Sequence, residues 1–413
     1  MISIYAVTIR MAAAASRFAF LILASKLLAT SEFGTYGLAL SYVALFAPWL
    51  GLEFYIFSQR QALSSDGATP IEISAKQVKF NFLSFIVFLP IIAITLITND
   101  FTITITVLLV TLIFFEYLSQ ELSRILVFLL KPVAATLVIF ARNGIWPIFG
   151  IYLLLYNFEL SSAKIFIVAG CIGGAFACIC GGWFVFRHAF KLLKYTSLTL
   201  DWIKRGLKEV KPFIASAIAF KLLELQDRFV LEHYHGTEQF AAYFLLATLA
   251  GGIQLVLGSA VGQIWGPRMI RAFRQGDHTE YLRSRKNWIL MYFTFGSIAT
   301  VAAIVIIQPT LEIIGKPEFL ANLNLFYVLL AAQLTCVLAE FWQVELYARD
   351  LDHWIPISAI VALVGAVTGS ILLIPSYAGL GAAIASLIGF ILLAICRYAG
   401  ILIEESKRKK ASS

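Results

Sequence analysis

The sequence predicts an all-α integral membrane protein with about twelve transmembrane helices. Hydrophobic residues make up 60% of the 413 residues and charged residues 14%, whereas about a quarter of a soluble domain is charged. The mean hydropathy is +0.85. Apolar runs long enough to cross a bilayer core of about 30 Å, roughly 20 residues each, recur along the whole chain. No segment remains that could form a soluble domain, so we expect one multi-pass membrane domain.

The apolar runs divide evenly between the two halves of the chain. The predicted spans of the first half are residues 2–28, 36–57, 80–97, 103–130, 132–156 and 163–186. Those of the second half are residues 212–233, 240–264, 288–307, 325–346, 355–374 and 379–403. Because Arg17 interrupts the first run, we expect a retained span there rather than a cleaved signal peptide, whose core is uncharged.

Basic residues gather on alternate connections between the spans. They are Arg60, Lys76, Lys79, Lys131, Arg187, Lys191, Lys194, Lys204, Arg205, Lys208, Lys211, Arg268, Arg271, Arg274, Arg283, Arg285, Lys286 and the tail 407–410. Loops rich in Lys and Arg stay in the cytoplasm, so both termini are predicted to be cytoplasmic. The net charge of +8 then reflects topology and not nucleic-acid binding.

The chain is predicted to consist of two six-helix bundles. Residues 1–190 form the N-terminal bundle, 191–211 a basic cytoplasmic linker, and 212–413 the C-terminal bundle with its basic tail. A weak internal repeat supports this division, since residues 33–36 (FGTY) correspond to residues 240–243 (FAAY). Each stretch is expected in the outer loop that follows the first helix of its half. Parallel repeats of this kind predict a central cavity between the bundles.

Two short segments resemble a known family. Residues 31–38 (SEFGTYGL) resemble the "(E)FGxYGL" turn of O-antigen-type polysaccharide flippases, which belong to the multidrug, oligosaccharidyl-lipid and polysaccharide exporter superfamily. Residues 227–231 (DRFVL), followed by Gly236 and residues 240–243, are similar to the "DRxxL…G…xxY" stretch of the same proteins, with Ala241 where the first half has Gly34. The resemblance implies a V-shaped, MATE-like (multidrug and toxic compound extrusion) pair of bundles. It also implies transport of a lipid-linked oligosaccharide by alternating access.

Ionisable residues inside the predicted spans mark the candidate site, because a charge facing lipid costs several kcal/mol. The candidate substrate-binding cations are Arg17, Arg124, Arg142, Lys221 and Arg228. One guanidinium group can donate two parallel hydrogen bonds to phosphate oxygens. These cations therefore predict a lumen that binds a pyrophosphate or acidic sugars. The alternative is a set of ion pairs that tie the bundle together, Arg124 with Glu121 or Glu116, and Arg228 with Glu224.

Three carboxylates have two interpretations. Glu116, Glu224 and Asp227 could bind protons or sodium ions that couple to transport, or could be counter-ions to neighbouring arginines. We predict no catalytic residue, metal site or cofactor, since the five cysteines lie in apolar stretches without a CxxC pair. A GxxxxGK[ST] nucleotide loop is also absent, so the chain carries no ATPase and its energy must come from an ion gradient or removal of product.

The leading prediction is a non-enzymatic flippase of the bacterial inner membrane. It would carry an undecaprenyl-pyrophosphate-linked oligosaccharide to the outer leaflet for O-antigen, capsule or exopolysaccharide. Its partners would be that lipid-linked oligosaccharide, membrane lipids, and candidate polymerase and chain-length proteins. One alternative, an ion-coupled multidrug antiporter of the same superfamily, needs an acidic cavity. Another, a membrane glycosyltransferase or polysaccharide polymerase, needs large outer loops with catalytic residues, and the outer loops predicted here are short.

Overall fold

A computed structural model describes residues 2–63, 69–99, 101–156, 162–187 and 196–412, and every regular element in these ranges is helical. The helices are α1 Ile2–Leu27, α2 Thr30–Leu50, α3 Tyr55–Leu63, α4 Pro70–Thr98, α5 Ile103–Phe128, α6 Pro132–Tyr156, α7 Ala163–Phe186, α8 Leu200–Leu257, α9 Gln263–Arg274, α10 His278–Ile314, α11 Pro317–Leu320, α12 Leu323–Ala348 and α13 Trp354–Ser412. A π-helical turn, Ala141–Ile145, interrupts α6, and a second, Gly258–Gly262, follows α8.

Nine helices of the described ranges are long and apolar enough to cross a membrane. Two of them, α8 with 58 residues and α13 with 59, are long enough for two crossings of about 20 residues each. Each contains a bend where the backbone leaves helical geometry, Gly236 (φ 74°) in α8 and Ala378 (φ 48°) in α13. The predicted all-α membrane fold is confirmed, while the count of twelve spans and the side of the termini stay predictions.

The two repeated stretches do not form loops as the sequence analysis expected. Residues 33–36 lie in the first turns of α2, and residues 240–243 lie in the helical segment of α8 after Gly236. The reason is burial, because Phe33 and Phe240 are both fully enclosed and anchor these turns in the protein interior. The second predicted span, 36–57, is also displaced. Its helix α2 ends at Leu50, and the chain then bends through two residues with positive φ, Leu52 and Glu53.

Small residues let the helices of the N-terminal unit approach closely. Gly170, Gly174 and Gly181 follow one face of α7, which packs against α5. A Cβ added at Gly174 would lie 2.7 Å from Cβ of Phe115, and one added at Gly181 would lie 3.1 Å from Cβ of Leu122. Close contact of this kind replaces hydrophobic association, which is weak between helices in lipid. In the C-terminal unit, alanines of α12 and α13 serve the same purpose. They are Ala332, Ala339, Ala359, Ala362 and Ala366, all buried in one cluster.

The chain divides into two compact units, Met1–Ile214 and Ala215–Ser413. Residues 191–195 of the predicted linker, with Lys191 and Lys194, lie outside the described residues, and residues 200–211 begin α8. The start of α8 packs onto the N-terminal unit, where the buried ring of Trp202 contacts Phe54 at a centroid distance of 4.9 Å. Its indole Nε1–H donates to Gln61 Oε1 at 2.8 Å. Much of the expected linker is therefore a packed helix.

Candidate functional site

A loosely held ion pair lies between α5 and the π-helical turn of α6. The turn carries Arg142, whose Nε is 3.3 Å from Oε2 of Glu116. That Nε is buried and forms no hydrogen bond in the described part of the chain. Charge-assisted N–H···O bonds usually measure about 2.7–2.9 Å, so this contact is weaker than such a bond. Both side chains are partly exposed, at 16% for Arg142 and 26% for Glu116.

Arg17 is an exposed cation on α1, next in sequence to a residue that contacts the π-helical turn of α6. Ser16 fixes that part of α1 against the π-helical turn, because its hydroxyl donates to the carbonyl of Gly144 at 3.3 Å. The charges of Arg17 and Glu116 both act on the buried phenol of Tyr36. Arg17 itself forms no ion pair or hydrogen bond with the residues that the structure describes. The N-terminal unit thus joins Arg142 to Glu116 and places Arg17 next to Ser16, which is bonded to the turn that carries Arg142.

Arg124 belongs to a separate and tightly bonded cluster. Its terminal nitrogen is 2.6 Å from Oε1 of Glu121, and its guanidinium lies 4.0 Å over the ring of Tyr55. Glu121 is 1% exposed and also accepts a hydrogen bond from Gln77 Nε2 at 3.1 Å. Gln77 in turn accepts from the Ser58 hydroxyl at 2.5 Å. This is the Arg124–Glu121 ion pair that the sequence analysis gave as the alternative, and the hydrogen bond from Gln77 links it from α5 to α4.

In the C-terminal unit, Lys221 forms an ion pair with Glu224, the carboxylate that the alternative interpretation paired with Arg228. Lys221 Nζ is 2.5 Å from Oε2 of Glu224, and both side chains are partly buried. The Arg228 guanidinium lies 5.7 Å from the ring centroid of Phe244. All three charged residues lie on the first segment of α8, before Gly236.

Asp227 is a buried and fully bonded carboxylate. Its Oδ2 accepts hydrogen bonds from the Tyr243 hydroxyl and, at 2.5 Å, from the Ser386 hydroxyl. Its Oδ1 accepts from the backbone N–H of Arg228 at 2.8 Å. With 4% exposure, Asp227 ties the two segments of α8 to α13. This arrangement favours a structural role for Asp227, beside the ion-coupling and counter-ion roles considered from the sequence.

A further polar cluster lies around Glu340 and Arg397, neither of which is among the candidate site residues predicted from the sequence. Glu340 Oε1 accepts from Gln254 Nε2 at 3.0 Å, and the charges of Glu224 and Arg397 both act on it. Arg397 is 1% exposed and donates to the carbonyl of Ala339 at 2.8 Å. A charge in the predicted span 379–403 was the signal that could have identified Arg397, by the same rule that selected the other five cations.

The internal repeat pairs chemically different groups in the two units. If Phe33 corresponds to Phe240, an offset of 240 − 33 = 207 positions, then Tyr36 corresponds to Tyr243 and Phe20 to Asp227. In the N-terminal unit Tyr36 contacts the Phe20 ring edge-to-face at 5.9 Å, and its hydroxyl is buried without a hydrogen bond in the described structure. In the C-terminal unit the equivalent tyrosine donates to Asp227. Equivalent positions therefore hold an aromatic contact in one unit and a hydrogen bond in the other.

Comparison with known proteins identifies the fold. No protein-family model and no curated protein sequence matches the chain. A solved inward-facing multidrug-resistance MATE transporter of the MOP superfamily is similar over 100% of both chains, with a TM-score of 0.76 and 14% identity. An outward-facing MATE transporter gives a TM-score of 0.62 and 13% identity over 98% of this chain and 94% of its own. The chain has the fold of MATE transporters.

A third solved structure with this fold is a MOP superfamily transporter from Pyrococcus furiosus. It has a TM-score of 0.65 and 13% identity, and the match covers 100% of this chain and 94% of that one. It is described as having a binding pocket of reverse polarity that suggests a different function. The MATE fold is a multi-pass membrane fold, in agreement with the nine candidate spans of the described residues.

The five predicted cations differ in how they are compensated within this fold. Three of them form an ion pair, Arg124 with Glu121, Arg142 with Glu116 and Lys221 with Glu224. Arg228 lies against the ring of Phe244 and next to Asp227 in sequence. Among the five, all of which the structure describes, Arg17 is the one with neither an ion pair nor an aromatic partner.

Proposed function

We propose that the chain is a flippase for an undecaprenyl-pyrophosphate-linked oligosaccharide, working by alternating access in the bacterial inner membrane. Two features support the proposal, the MATE fold and the flippase-like segments at residues 31–38 and 227–231. Polysaccharide polymerase and chain-length proteins would then act on the flipped product. An enzymatic role as a polymerase has less support, because the solved proteins of this fold are transporters.

Arg17 is the observation on which this proposal depends. A cation on an apolar helix is costly unless an anion compensates it, and Arg17 has no carboxylate partner in the described structure. A pyrophosphate would supply that anion and would accept paired hydrogen bonds from the guanidinium. Arg142 is the natural second ligand, since its 3.3 Å contact with Glu116 leaves Nε without a hydrogen bond in the described residues.

The strength of the existing ion pairs distinguishes the cations that can bind substrate from those with a structural role. Arg124 is held at 2.6 Å by a carboxylate that is 1% exposed and bonded to Gln77. Transferring Arg124 to a substrate would leave Glu121 buried and uncompensated, which is strongly unfavourable. We therefore assign substrate binding to Arg17 and Arg142 first, Lys221 and Arg228 next, and a structural role to Arg124.

An ion-coupled antiporter is the second candidate, and Glu340 favours it. This partly buried carboxylate accepts an amide hydrogen bond from Gln254 but forms no ion pair with the described residues. Such a group can bind a proton or a sodium ion during transport. The Pyrococcus furiosus transporter, described as having a pocket of reverse polarity, is a precedent for a change of pocket charge on this fold. Glu116 and Glu224, each paired with a base, are further candidates for coupling.

Genetic complementation tests the proposal. The gene is deleted in its host, and wild type, Arg17→Ala, Arg142→Ala or Lys26→Ala is returned at equal membrane level. We expect the deletion to remove surface polysaccharide and to accumulate lipid-linked precursor. A hydrogen-bonded charge contributes about 1.5–3 kcal/mol, so Arg17→Ala should reduce polymer by about tenfold or more. Lys26→Ala removes the same charge at the exposed end of α1 and should restore the polymer fully.

Two outcomes would contradict the proposal. If Arg17→Ala and Arg142→Ala both restore wild-type polymer, the anion site is wrong. If the deletion leaves polymer unchanged and instead makes the cells sensitive to cationic drugs, the antiporter is the better assignment.

A further inference from the structure

Helix α10 has the least buried candidate span of the described chain. Only 11% of its most apolar 18-residue window is buried, whereas the other eight candidate spans range from 28% to 72%. One stripe of α10 packs inward, with Tyr281, Trp288, Tyr292 and Gly296 buried. Most of the apolar window is exposed, so another molecule must cover it in the membrane.

The exposed face of α10 bears two shallow, widely open grooves in succession. The first has a volume of about 440 Å³ and is lined by Leu282, Arg285, Lys286, Ile289, Leu290 and Phe293. The second, of about 620 Å³, continues on the same face between residues 297 and 306 and is almost wholly apolar. At 1.5 Å per residue, the distance from Lys286 to residue 306 is about 30 Å, the thickness of a bilayer core. The first groove is about half as long as this stretch, which is about the length of one leaflet.

The first groove is charged at one end and apolar at the other. Lys286 is exposed and forms no ion pair or hydrogen bond with residues that the structure describes. Arg285 is positioned by Glu345, which is 1% exposed and lies 2.5 Å from Arg285 Nε, while about a third of the arginine side chain stays accessible. Beyond these cations, Leu290 is 54% and Phe293 62% exposed. This order of groups matches a phosphate followed by an acyl chain.

We propose that this groove binds an anionic phospholipid. Its phosphate contacts Lys286 and Arg285, and an acyl chain lies along Ile289, Leu290 and Phe293. The net charge of the groove selects an anionic headgroup over a zwitterionic one. A second copy of the chain fits less well, because a two-fold axis along the membrane normal places the same basic ends at the same depth, where they repel each other. This inference does not depend on the transported substrate.

Native mass spectrometry of the purified full chain tests the site. Phosphatidylglycerol or phosphatidylcholine is added stepwise to delipidated protein, and bound lipid is counted. A lysine near the membrane surface changes affinity for anionic lipid by about fivefold, so Lys286→Gln should weaken phosphatidylglycerol binding by that factor. Arg283→Gln is the matched control, since Arg283 is exposed at the same end of α10 but does not line the groove. Leu290→Trp should also weaken binding by filling the groove, with Leu290→Phe as a milder variant.

The proposal is overturned if Lys286→Gln and Arg283→Gln weaken binding equally, since surface charge alone would then explain the effect. It is also overturned if both Leu290 variants bind phosphatidylglycerol like wild type, or if phosphatidylcholine binds as tightly. Detection of a dimer that Leu290→Trp abolishes, without bound lipid, would assign the groove to a second copy instead.

Discussion

Replacing Asp227 by asparagine tests whether this carboxylate stabilises the C-terminal unit. The aspartate accepts three hydrogen bonds, two from hydroxyls of Tyr243 and Ser386 and one from the Arg228 backbone. Asparagine has nearly the same shape but only one acceptor oxygen, so one donor is left facing the amide NH₂ group. The other two bonds lose their charge assistance.

The size of the effect follows from these bonds. Hydrogen bonds to a charged group contribute about 1.5–3 kcal/mol and neutral ones about 0.5–1.5 kcal/mol. One lost bond and two weakened bonds sum to about 4 kcal/mol, and removing a buried charge returns about 1–2 kcal/mol of that. We expect Asp227→Asn to lower the free energy of unfolding by about 2–3 kcal/mol.

Unfolding of the purified protein in dodecyl sulfate, followed by circular dichroism, measures this change. Asp227→Asn, Tyr243→Phe and the double variant form a cycle, in which two residues in direct contact should show a coupling of about 1–2 kcal/mol. The reasoning is refuted if Asp227→Asn is as stable as wild type and the coupling is zero. Retained stability together with lost ion-coupled transport would make Asp227 a coupling site instead.

Two further predictions use the same unfolding assay. Glu345 is 1% exposed and contacts Arg285 at 2.5 Å and Arg349 at 3.4 Å; because Arg285 stays partly exposed and Arg349 keeps its pair with Glu405, Glu345→Ala should destabilise by about 1.5–3 kcal/mol. Asp350→Asn, at the exposed pair with Arg274, should change stability by less than about 1 kcal/mol, and equal effects at the two sites would contradict the argument. An added Cβ at Gly389 would lie 2.6 Å from Leu223 and 2.8 Å from Ala366, so Gly389→Ala should destabilise by about 1–3 kcal/mol. Gly251→Ala, with open space around the site, should be neutral or stabilising by up to about 1 kcal/mol, and a loss as large as that at Gly389 would show that crowding of the added methyl group is not the cause.

The fold class was predictable because the length and spacing of apolar runs are direct properties of the sequence. Helix ends were not, since hydropathy does not detect helix that continues beyond the apolar run. Helix α10 begins at His278, ten residues before the predicted span at Trp288, because the Asp277 side chain accepts from the backbone N–H of Glu280 at 2.9 Å and caps the extension. Local turn chemistry, not membrane burial, decides where that helix starts.

The site was predictable only where partners are close in sequence. Glu121 and Arg124 are three positions apart on one helix, so their pairing was an explicit alternative. The contact of Arg142 with Glu116 depends on how α5 and α6 pack, and hydropathy does not fix that packing. The bond from Ser386 to Asp227 joins residues 159 positions apart, which no local pattern reveals.

Lipid flipping in reconstituted vesicles is the most direct test of the central claim that the chain moves a pyrophosphate-linked oligosaccharide past Arg17. A fluorescent undecaprenyl-pyrophosphate-linked oligosaccharide is incorporated, and the fraction that a membrane-impermeant quencher can reach is followed over time. We predict that wild type equilibrates the label between leaflets. Arg17→Ala should do so at least about tenfold more slowly, and Lys26→Ala should behave like wild type. The account is contradicted if wild-type vesicles flip the lipid no faster than protein-free vesicles, or if Arg17→Ala matches wild type.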